Sequence, residues 1–297
     1  MVMDWDKLRI FYAVAEVGSF THASDVLYIS QSAISRHIQA LERSFNTPLF
    51  HRHARGLVLT GAGQILFETV RQIYGRLEHT KARISDNTDR PKGPLCITTT
   101  FAFGTTWLTP RIREFIEAYP EIDVKLLLND RPLDIAMGES DVAIRFEEPS
   151  EGDLISRRLM PLSFHLYAND DYIKRKGLIK DMNDLDNHDL IAITDMNPLS
   201  LNHRNWFLHA ENDDSHPRRP ILSVDNMYGI YRAVRSGLGV GSLPDYLDAP
   251  ETGLRRAFPD EKGMSAETYF VYPVELRNTK RIEVFKEFML KKAKEFQ

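Results

Sequence analysis

The stretch Ser30–Phe45, SQSAISRHIQALERSF, organises the rest of the chain. Read as a helix, it repeats apolar side chains at spacings of four, three and four, so that they form one stripe facing a core. The opposite face offers hydrogen-bonding groups and two cations without an acid, which suits base edges and phosphates. The stripe consists of Ile34, Ile38, Leu41 and Phe45, and the polar face of Ser32, Ser35, Arg36, Gln39 and Arg43.

The residues before this helix complete a helix-turn-helix pattern. Thr21–Tyr28 has the length of a second short helix, and Ser30 has the type and position of an N-terminal cap after a tight connection. A recognition helix enters the major groove by its first turns, where Gln can bond adenine and Arg can bond guanine with two hydrogen bonds each. The alternative is a surface helix whose polar face is merely solvated. The predicted DNA contacts from this region are Ser30, Gln31, Ser32, Ser35, Arg36 and Gln39.

The flanking segments predict a winged domain and a long helix. Trp5–Val17 repeats apolar residues at helical spacing and stops at Gly18, a natural helix end. After the recognition helix, FNTPLFHRHARGLVLTGAG is typical of a β-hairpin wing, with Arg52 and Arg55 at its tip as further DNA contacts. The helix predicted over 62–85 is too long to pack on so small a domain, and we expect it to pair with a second copy of itself.

This pattern resembles the N-terminal domain of LysR-type transcriptional regulators. The resemblance covers the whole chain and implies an α+β multi-domain protein. Its expected parts are a winged helix-turn-helix at 1–62, a linker and dimerisation helix at 63–88, and a two-lobed α/β effector domain like periplasmic binding proteins at 89–297. Lobe I would span about 95–165 and 270–297, and lobe II about 166–269. Within the family, HRHARGL, TTTFAFGTTWLTPR and DVAIRFEEP are most similar to the alphaproteobacterial LsrB/VtlR type. The residues that carry the family resemblance are Ala23, Leu27, Ser30, Gln31, Ser32, Ser35, Leu41, Glu42, Leu49, Phe50, Arg52, Leu59, Thr60 and Gly63.

Composition and charge limit the class of protein. The 297 residues carry a net charge of -4, but from Ser30 to Thr60 four arginines face one acid, Glu42. This small basic patch on an acidic chain argues against binding by phosphate attraction alone. There is neither a long apolar run nor a secretory signal, so we expect a cytoplasmic protein without a membrane segment. His51 and His53 could form a metal pair, but a solvated wing is favoured, and we expect neither a metal nor a cofactor.

The second half alternates strands and helices, which predicts parallel sheets. We expect the chain to cross between the lobes near 162–168 and 266–271. Ligands of such folds bind beyond the carboxyl ends of strands and near helix N-termini. The threonines could instead serve helix capping and strand propensity, and Arg145 could be a buried ion-pair partner. The predicted effector contacts are Thr98, Thr99, Thr100, Thr105, Thr106, Arg145 and Ser242.

The single cysteine, Cys96, lies in a predicted strand and cannot form a disulfide within the chain. An inert thiol is favoured over a redox switch, because reactive thiols need exposure and a cationic neighbour.

The expected function is transcription regulation through an inverted repeat. The resemblance implies a dimer joined by linker helices, assembly of dimers into a tetramer, a small-molecule or redox signal, and contact with RNA polymerase. Two other classes remain open, namely a small-molecule-binding protein with a helical dimerisation domain, and an enzyme. The enzyme is the weakest alternative, because we find neither a nucleophile with a paired base, nor metal spacing, nor a phosphate loop. A nonspecific nucleoid protein is a further alternative, which the small local charge excess disfavours.

Overall fold

The computed structural model describes residues 4–53, 56–85, 90–149, 152–194, 205–209, 217–248, 252–258 and 264–296. The chain forms two compact units, one of Met1–Ile84 with Met137–Glu139 and one of Ser85–Ala136 with Ser140–Gln297. No helix among the described residues is both long and apolar enough to cross a membrane.

The first unit is a winged helix-turn-helix followed by a long helix. Asp4 caps α1, which ends at Gly18 with a φ of 63°, as the sequence predicts. Side chains of α1 and α3 make the centre of the core, where Phe11, Ile34 and Ile38 are fully buried. The wing is an antiparallel hairpin that pairs Phe50 with Leu59. The elements are α1 Trp5–Val17, α2 Phe20–Leu27, α3 Gln31–Phe45, β1 Phe50–His53, β2 Gly56–Leu59 and α4 Gly61–Ser85.

The second unit alternates strands and helices along most of its length. Its lobe I elements are β3 Gly93–Thr99, α5 Phe101–Phe103, a π-helical turn Gly104–Leu108, α6 Thr109–Ala118, β4 Ile122–Leu128 and β5 Val142–Arg145. A long strand, β6 Leu154–Asn169, leads into α7 Asp170–Lys176, β7 Leu190–Ile193, β8 Leu222–Val224, α8 Met227–Arg235, β9 Val240–Pro244 and β10 Leu254–Arg256. The chain returns through β11 Met264–Pro273 and ends in α9 Lys280–Phe296. Short 3₁₀ turns occupy Asn183–Asn187, Trp206–Leu208, Asp245–Leu247 and Val274–Leu276.

The sheet of this unit is parallel within each lobe and antiparallel where the lobes join. β3 lies parallel to β4 and β5, and β7 lies parallel to β8 and β9. β6 and β11 pair antiparallel along their length, with a bulge between Thr268 and Tyr269. β6 then pairs with β9 and β11 with β5, so these two strands connect the lobes. The expected crossings at 162–168 and 266–271 overlap these two strands. The predicted parallel pairing is found within each lobe, and the two crossings add antiparallel pairs because the chain passes between the lobes in opposite directions.

The core of the second unit lies between its sheet and the helices on it. Trp107, Phe115 and Phe285 are buried there, and Phe115 and Phe285 meet at 5.1 Å between ring centroids. On the last helix, Ile282, Phe285 and Met289 are buried and Phe288 is partly buried against the same core. Burial of such rings is the main stabilising contribution to a domain of this size.

Candidate nucleic-acid interface and effector cleft

The recognition helix α3 is held by its apolar stripe and its N-terminal cap. Ile34 and Ile38 are fully buried and Leu41 is 2% exposed, so the opposite face is turned to solvent. Ser30 is in the extended conformation of a cap residue, and its Oγ accepts a hydrogen bond from the Ala33 amide at 3.3 Å. This cap satisfies one of the free amides at the helix start.

The polar side chains at the start of α3 are available to a ligand. Gln31, Ser32 and Arg36 are exposed, as is Gln39 one turn later, whereas Ser35 is half-buried. Among the described residues, the side chains of Gln31, Arg36 and Gln39 make no hydrogen bond or ion pair. Ser30 and Ser32 share a hydrogen bond between their hydroxyls at 3.1 Å. Two amides and a guanidinium on one exposed face match the donors and acceptors on base edges in the major groove.

The acid in the basic stretch, Glu42, serves the fold. Its carboxylate accepts hydrogen bonds from the amides of Leu49 and Phe50, at 2.8 and 3.4 Å, and so ties α3 to the first strand of the wing. Sequence reasoning counted Glu42 only as a charge, although its place in the family pattern could have indicated a structural contact.

The junction of the wing with α4 uses two further residues of the family pattern. Thr60 Oγ1 donates to the Pro48 carbonyl at 2.8 Å and accepts from the Gly63 amide at 2.9 Å. A Cβ atom at Gly63 would lie 2.1 Å from the Leu49 carbonyl oxygen, so only glycine fits this approach.

The wing residues are described only in part. Arg52 lies on β1, opposite Leu57, but its side chain lies outside the described part of the chain. Arg55 lies entirely outside the described residues. Both therefore stay predictions from the sequence.

The hydroxyls predicted to meet an effector are mostly engaged with the protein's own backbone. Thr98 Oγ1 donates to the Leu127 carbonyl at 2.9 Å, and Thr99 Oγ1 donates to the Ile144 carbonyl at 3.2 Å. Both threonines are about 5% exposed or less. Thr106 Oγ1 bonds the Ala102 carbonyl, and Thr100 occupies the cap position of α5 without a capping bond from its side chain. These contacts match the alternative of strand propensity and local helix bonding.

The remaining predicted effector residues lie in different surroundings. The guanidinium of Arg145 is 3.4 Å from the Leu133 carbonyl. The hydroxyls of Thr105 and Ser242 are buried and have no hydrogen-bond partner among the described residues. Ser242 is on β9 in lobe II and Thr105 is in the π-helical turn of lobe I.

A cavity of about 580 Å³ lies between the lobes, at the end of β4 and the start of α8. Phe101 and Tyr228 contact each other edge to face at 5.5 Å between ring centroids, one from each lobe. The Asp130 carboxylate accepts from the Phe101 amide, and Asn226 caps α8 through the Gly229 amide. None of the predicted effector residues lines this cavity, whose described lining is Phe101, Leu128, Asn129, Asp130, Arg131, Asp225, Asn226, Tyr228 and Gly229.

Cys96 is half-buried on β3 next to an acid. The Cys96 amide donates to the Asp141 carboxylate at 2.7 Å. Burial first, and the charge of Asp141 second, raise the pKa of the thiol to about 11. Both effects keep the thiol protonated and therefore unreactive near neutral pH.

Family models cover both units. The model of the bacterial regulatory helix-turn-helix protein, LysR family, matches residues 5–64, and the model of the LysR substrate-binding domain matches residues 88–294. An HTH-type transcriptional regulator of Xanthomonas campestris is 30% identical over 251 residues, which are 84% of this chain and 73% of that protein. The glycine cleavage system transcriptional activator of Escherichia coli is 36% identical over 139 residues, or 47% of this chain and 45% of that protein.

Solved structures agree with this placement. The full-length virulence activator AphB of Vibrio cholerae is 25% identical, with a TM-score of 0.61 over 97% of this chain and 99% of that one. Full-length CbnR in complex with its target DNA is 18% identical and shares the fold, with a TM-score of 0.67 over 98% of this chain and 100% of that one. With both domains matched in order, the chain belongs to the LysR family of DNA-binding transcriptional regulators.

Proposed function

We propose that this regulator binds an interrupted inverted repeat in promoter DNA and switches transcription when a small molecule occupies the cleft between its lobes. The observation that supports this proposal most directly is the exposed polar face of α3, where Gln31, Ser32 and Arg36 lie away from the buried stripe. Arg36 reads guanine and Gln31 reads adenine, while Ser30, Ser32, Ser35 and Gln39 position the helix on phosphates or bases. Arg52 and Arg55 of the wing contact the neighbouring minor groove. The regulator acts in the cytoplasm, where promoter DNA lies.

Dimerisation through α4 places two recognition helices on one DNA face. Ile65 is 71% exposed and Leu77 is 48% exposed on this 25-residue helix. Trp5, whose ring centroid lies 5.3 Å from that of Tyr74, is 40% exposed. Apolar side chains left in water along a long helix support pairing with a second copy. A two-fold dimer requires an operator with matching symmetry, its half-sites in successive major grooves.

The effector occupies the cavity that Phe101 and Tyr228 help to line. Its volume fits a small molecule, and its walls combine two aromatic rings with carboxylates, amides and Arg131. A ligand held by both lobes favours one lobe arrangement over another. That differential affinity is what changes the assembly of dimers into a tetramer and the contact with RNA polymerase. Within the family, the wing and the start of the effector domain support the LsrB/VtlR type.

The test of DNA reading is retention of fragmented genomic DNA by wild type, Arg36→Ala and Arg43→Ala. Arg43 is the matched control, because it is exposed on the same helix but lies at its C-terminal end, where its Nε bonds the Gln39 carbonyl. We expect a few promoters with a shared inverted repeat in wild type and in Arg43→Ala, and at least about tenfold weaker enrichment in Arg36→Ala. Identical profiles for all three proteins would contradict the assignment of α3.

The test of the pocket is a thermal-shift screen of metabolites against wild type, Tyr228→Ala and Ile221→Ala. Ile221 is 55% exposed in the same lobe and does not line the cavity, so its variant controls for surface truncation. A compound that raises Tm in wild type and Ile221→Ala, but not in Tyr228→Ala, identifies the effector and its site. A compound that stabilises all three equally binds elsewhere.

A further inference from the structure

Tyr28 has a backbone conformation that is unfavourable for a tyrosine. It ends α2 with φ 55° and ψ 36°, in the left-handed region. Among the described residues other than glycine, Asn46 alone shares a positive φ, and asparagine tolerates it because its short side chain bonds locally. The Cβ of a tyrosine crowds the backbone in this region, so glycine or asparagine would make the same turn at a lower cost in free energy.

The side chain of Tyr28 does not compensate for this backbone conformation by stabilising the fold. It is 93% exposed and makes no hydrogen bond or ring contact with any described residue. Its neighbours differ, because Leu27 and Ile29 pack against the core of the first unit. The turn lies between these two partly buried residues, but a tyrosine is not needed to make it.

The position of Tyr28 relates it to the DNA-binding face. It lies two residues before Ser30, whose side chain caps α3, and so sits beside the end of the helix that enters the major groove. In helix-turn-helix proteins, residues around this end meet the sugar-phosphate strand that borders the groove. Tyrosine is one of the side chains that bond phosphate oxygens, since its hydroxyl is a donor on a rigid arm.

We infer that Tyr28 is a DNA-backbone contact, whose hydroxyl donates to a phosphate oxygen at the edge of the groove read by α3. The inference rests on the proposed function and adds a residue that positions the helix without reading bases. Because a phosphate contact carries no sequence information, Tyr28 strengthens binding to operator and to unrelated DNA alike. Because tyrosine is neutral, it leaves the salt dependence of binding unchanged.

The experiment compares Tyr28→Phe, Tyr28→Asn and Asn46→Gly with wild type. Asn46→Gly is the matched control, since Asn46 has the same backbone conformation at the opposite end of α3. Tm is measured for each protein, and Kd is measured by fluorescence anisotropy for an operator duplex and for a scrambled duplex at three salt concentrations. Arg36→Ala is measured in parallel.

We expect Tyr28→Phe to bind both duplexes about five- to tenfold more weakly than wild type, with an unchanged salt slope. Tyr28→Asn should lose at least as much affinity while its Tm equals or exceeds that of wild type, because asparagine relieves the backbone. Asn46→Gly should bind as wild type does.

Two results would overturn the inference while the proposed function stands. One is wild-type affinity of both Tyr28 variants in the same assay in which Arg36→Ala loses the operator. The other is wild-type affinity in Kd combined with altered output in a transcription reporter assay of the same variants, which would make Tyr28 a contact for a protein partner. If wild type itself does not distinguish operator from scrambled DNA, the proposed function fails and this inference fails with it.

Discussion

Two hydroxyl-rich stretches lie at helix starts, and the protein uses them in opposite ways. Ser30–Arg36 forms the cap and first turns of α3, whereas Thr98–Thr106 runs from the end of β3 into the π-helical turn before α6. In the first, the buried stripe of α3 carries the stability and leaves the polar groups in water. In the second, Thr98 and Thr99 are buried and their hydroxyls bond carbonyls of neighbouring strands. We therefore expect a hydroxyl near a helix start to mark a binding site only where the surrounding apolar pattern leaves it outside the core.

The largest effect on stability should come from the stripe of α3. Ile38→Ala removes a fully buried side chain, so we expect the free energy of unfolding to fall by about 2–5 kcal/mol. The neighbouring Gln39→Ala is the control, because this exposed side chain contributes less than about 0.5 kcal/mol to stability. Urea unfolding of the two variants measures the difference. Equal losses of stability in the two variants would mean that the exposed face of α3 supports the fold as much as the buried face does.

Glu42 is an exception to the division of α3 into an apolar face for the fold and a polar face for binding, since it is a polar residue that supports the fold. Glu42→Ala leaves the amides of Leu49 and Phe50 without their acceptor, and we expect a loss of about 1.5–3 kcal/mol in urea unfolding. Arg43→Ala, at the exposed position next to it, should stay within about 0.5 kcal/mol of wild type. An unchanged midpoint for Glu42→Ala would show that the tie to the wing adds no stability.

The contrast between local and long-range contacts explains which features of the structure can be predicted from the sequence. The cap at Ser30, the stripe of α3 and the end of α1 at Gly18 depend on residues within a few positions of one another, so residue type and periodicity predict them. The cavity between Phe101 and Tyr228 joins residues more than a hundred positions apart, and only the sheet order brings them together. The left-handed turn at Tyr28 also escaped prediction, because tyrosine is an unusual residue there.

A smaller effect on stability should distinguish Thr98–Thr106 from Ser30–Arg36 directly. Thr98→Val removes one buried hydrogen bond, to the Leu127 carbonyl, and should lower the free energy of unfolding by about 1 kcal/mol without changing operator affinity. Ser32→Ala should do the reverse, weakening operator binding while unfolding stays as in wild type, since Ser32 is exposed. Paired Kd and unfolding measurements check both. A loss of affinity in Thr98→Val with unchanged stability would reverse the roles assigned to the two stretches.

The last contrast concerns Cys96, two residues before Thr98 on β3. With its pKa raised from 9.0 to about 11, the native thiol is less ionised at pH 8 than the unfolded one. The lower thiolate fraction is partly offset by its greater nucleophilicity, so we expect alkylation by iodoacetamide to be about tenfold slower in the native protein than in urea. The chain has one cysteine, so mass spectrometry reads this site alone.

The same shift predicts how stability depends on pH. Because folding favours the protonated thiol of Cys96, its contribution is fully present below pH 9 and is lost as the pH rises from 9 toward 11, where the unfolded chain ionises first. Cys96→Ala removes this ionisation, so the variant should lose less stability than wild type over that range in urea unfolding. Equal alkylation rates in native and unfolded protein, or identical pH profiles for wild type and Cys96→Ala, would place the thiol in water. Cys96 would then resemble the exposed face of α3 more than the buried threonines beside it.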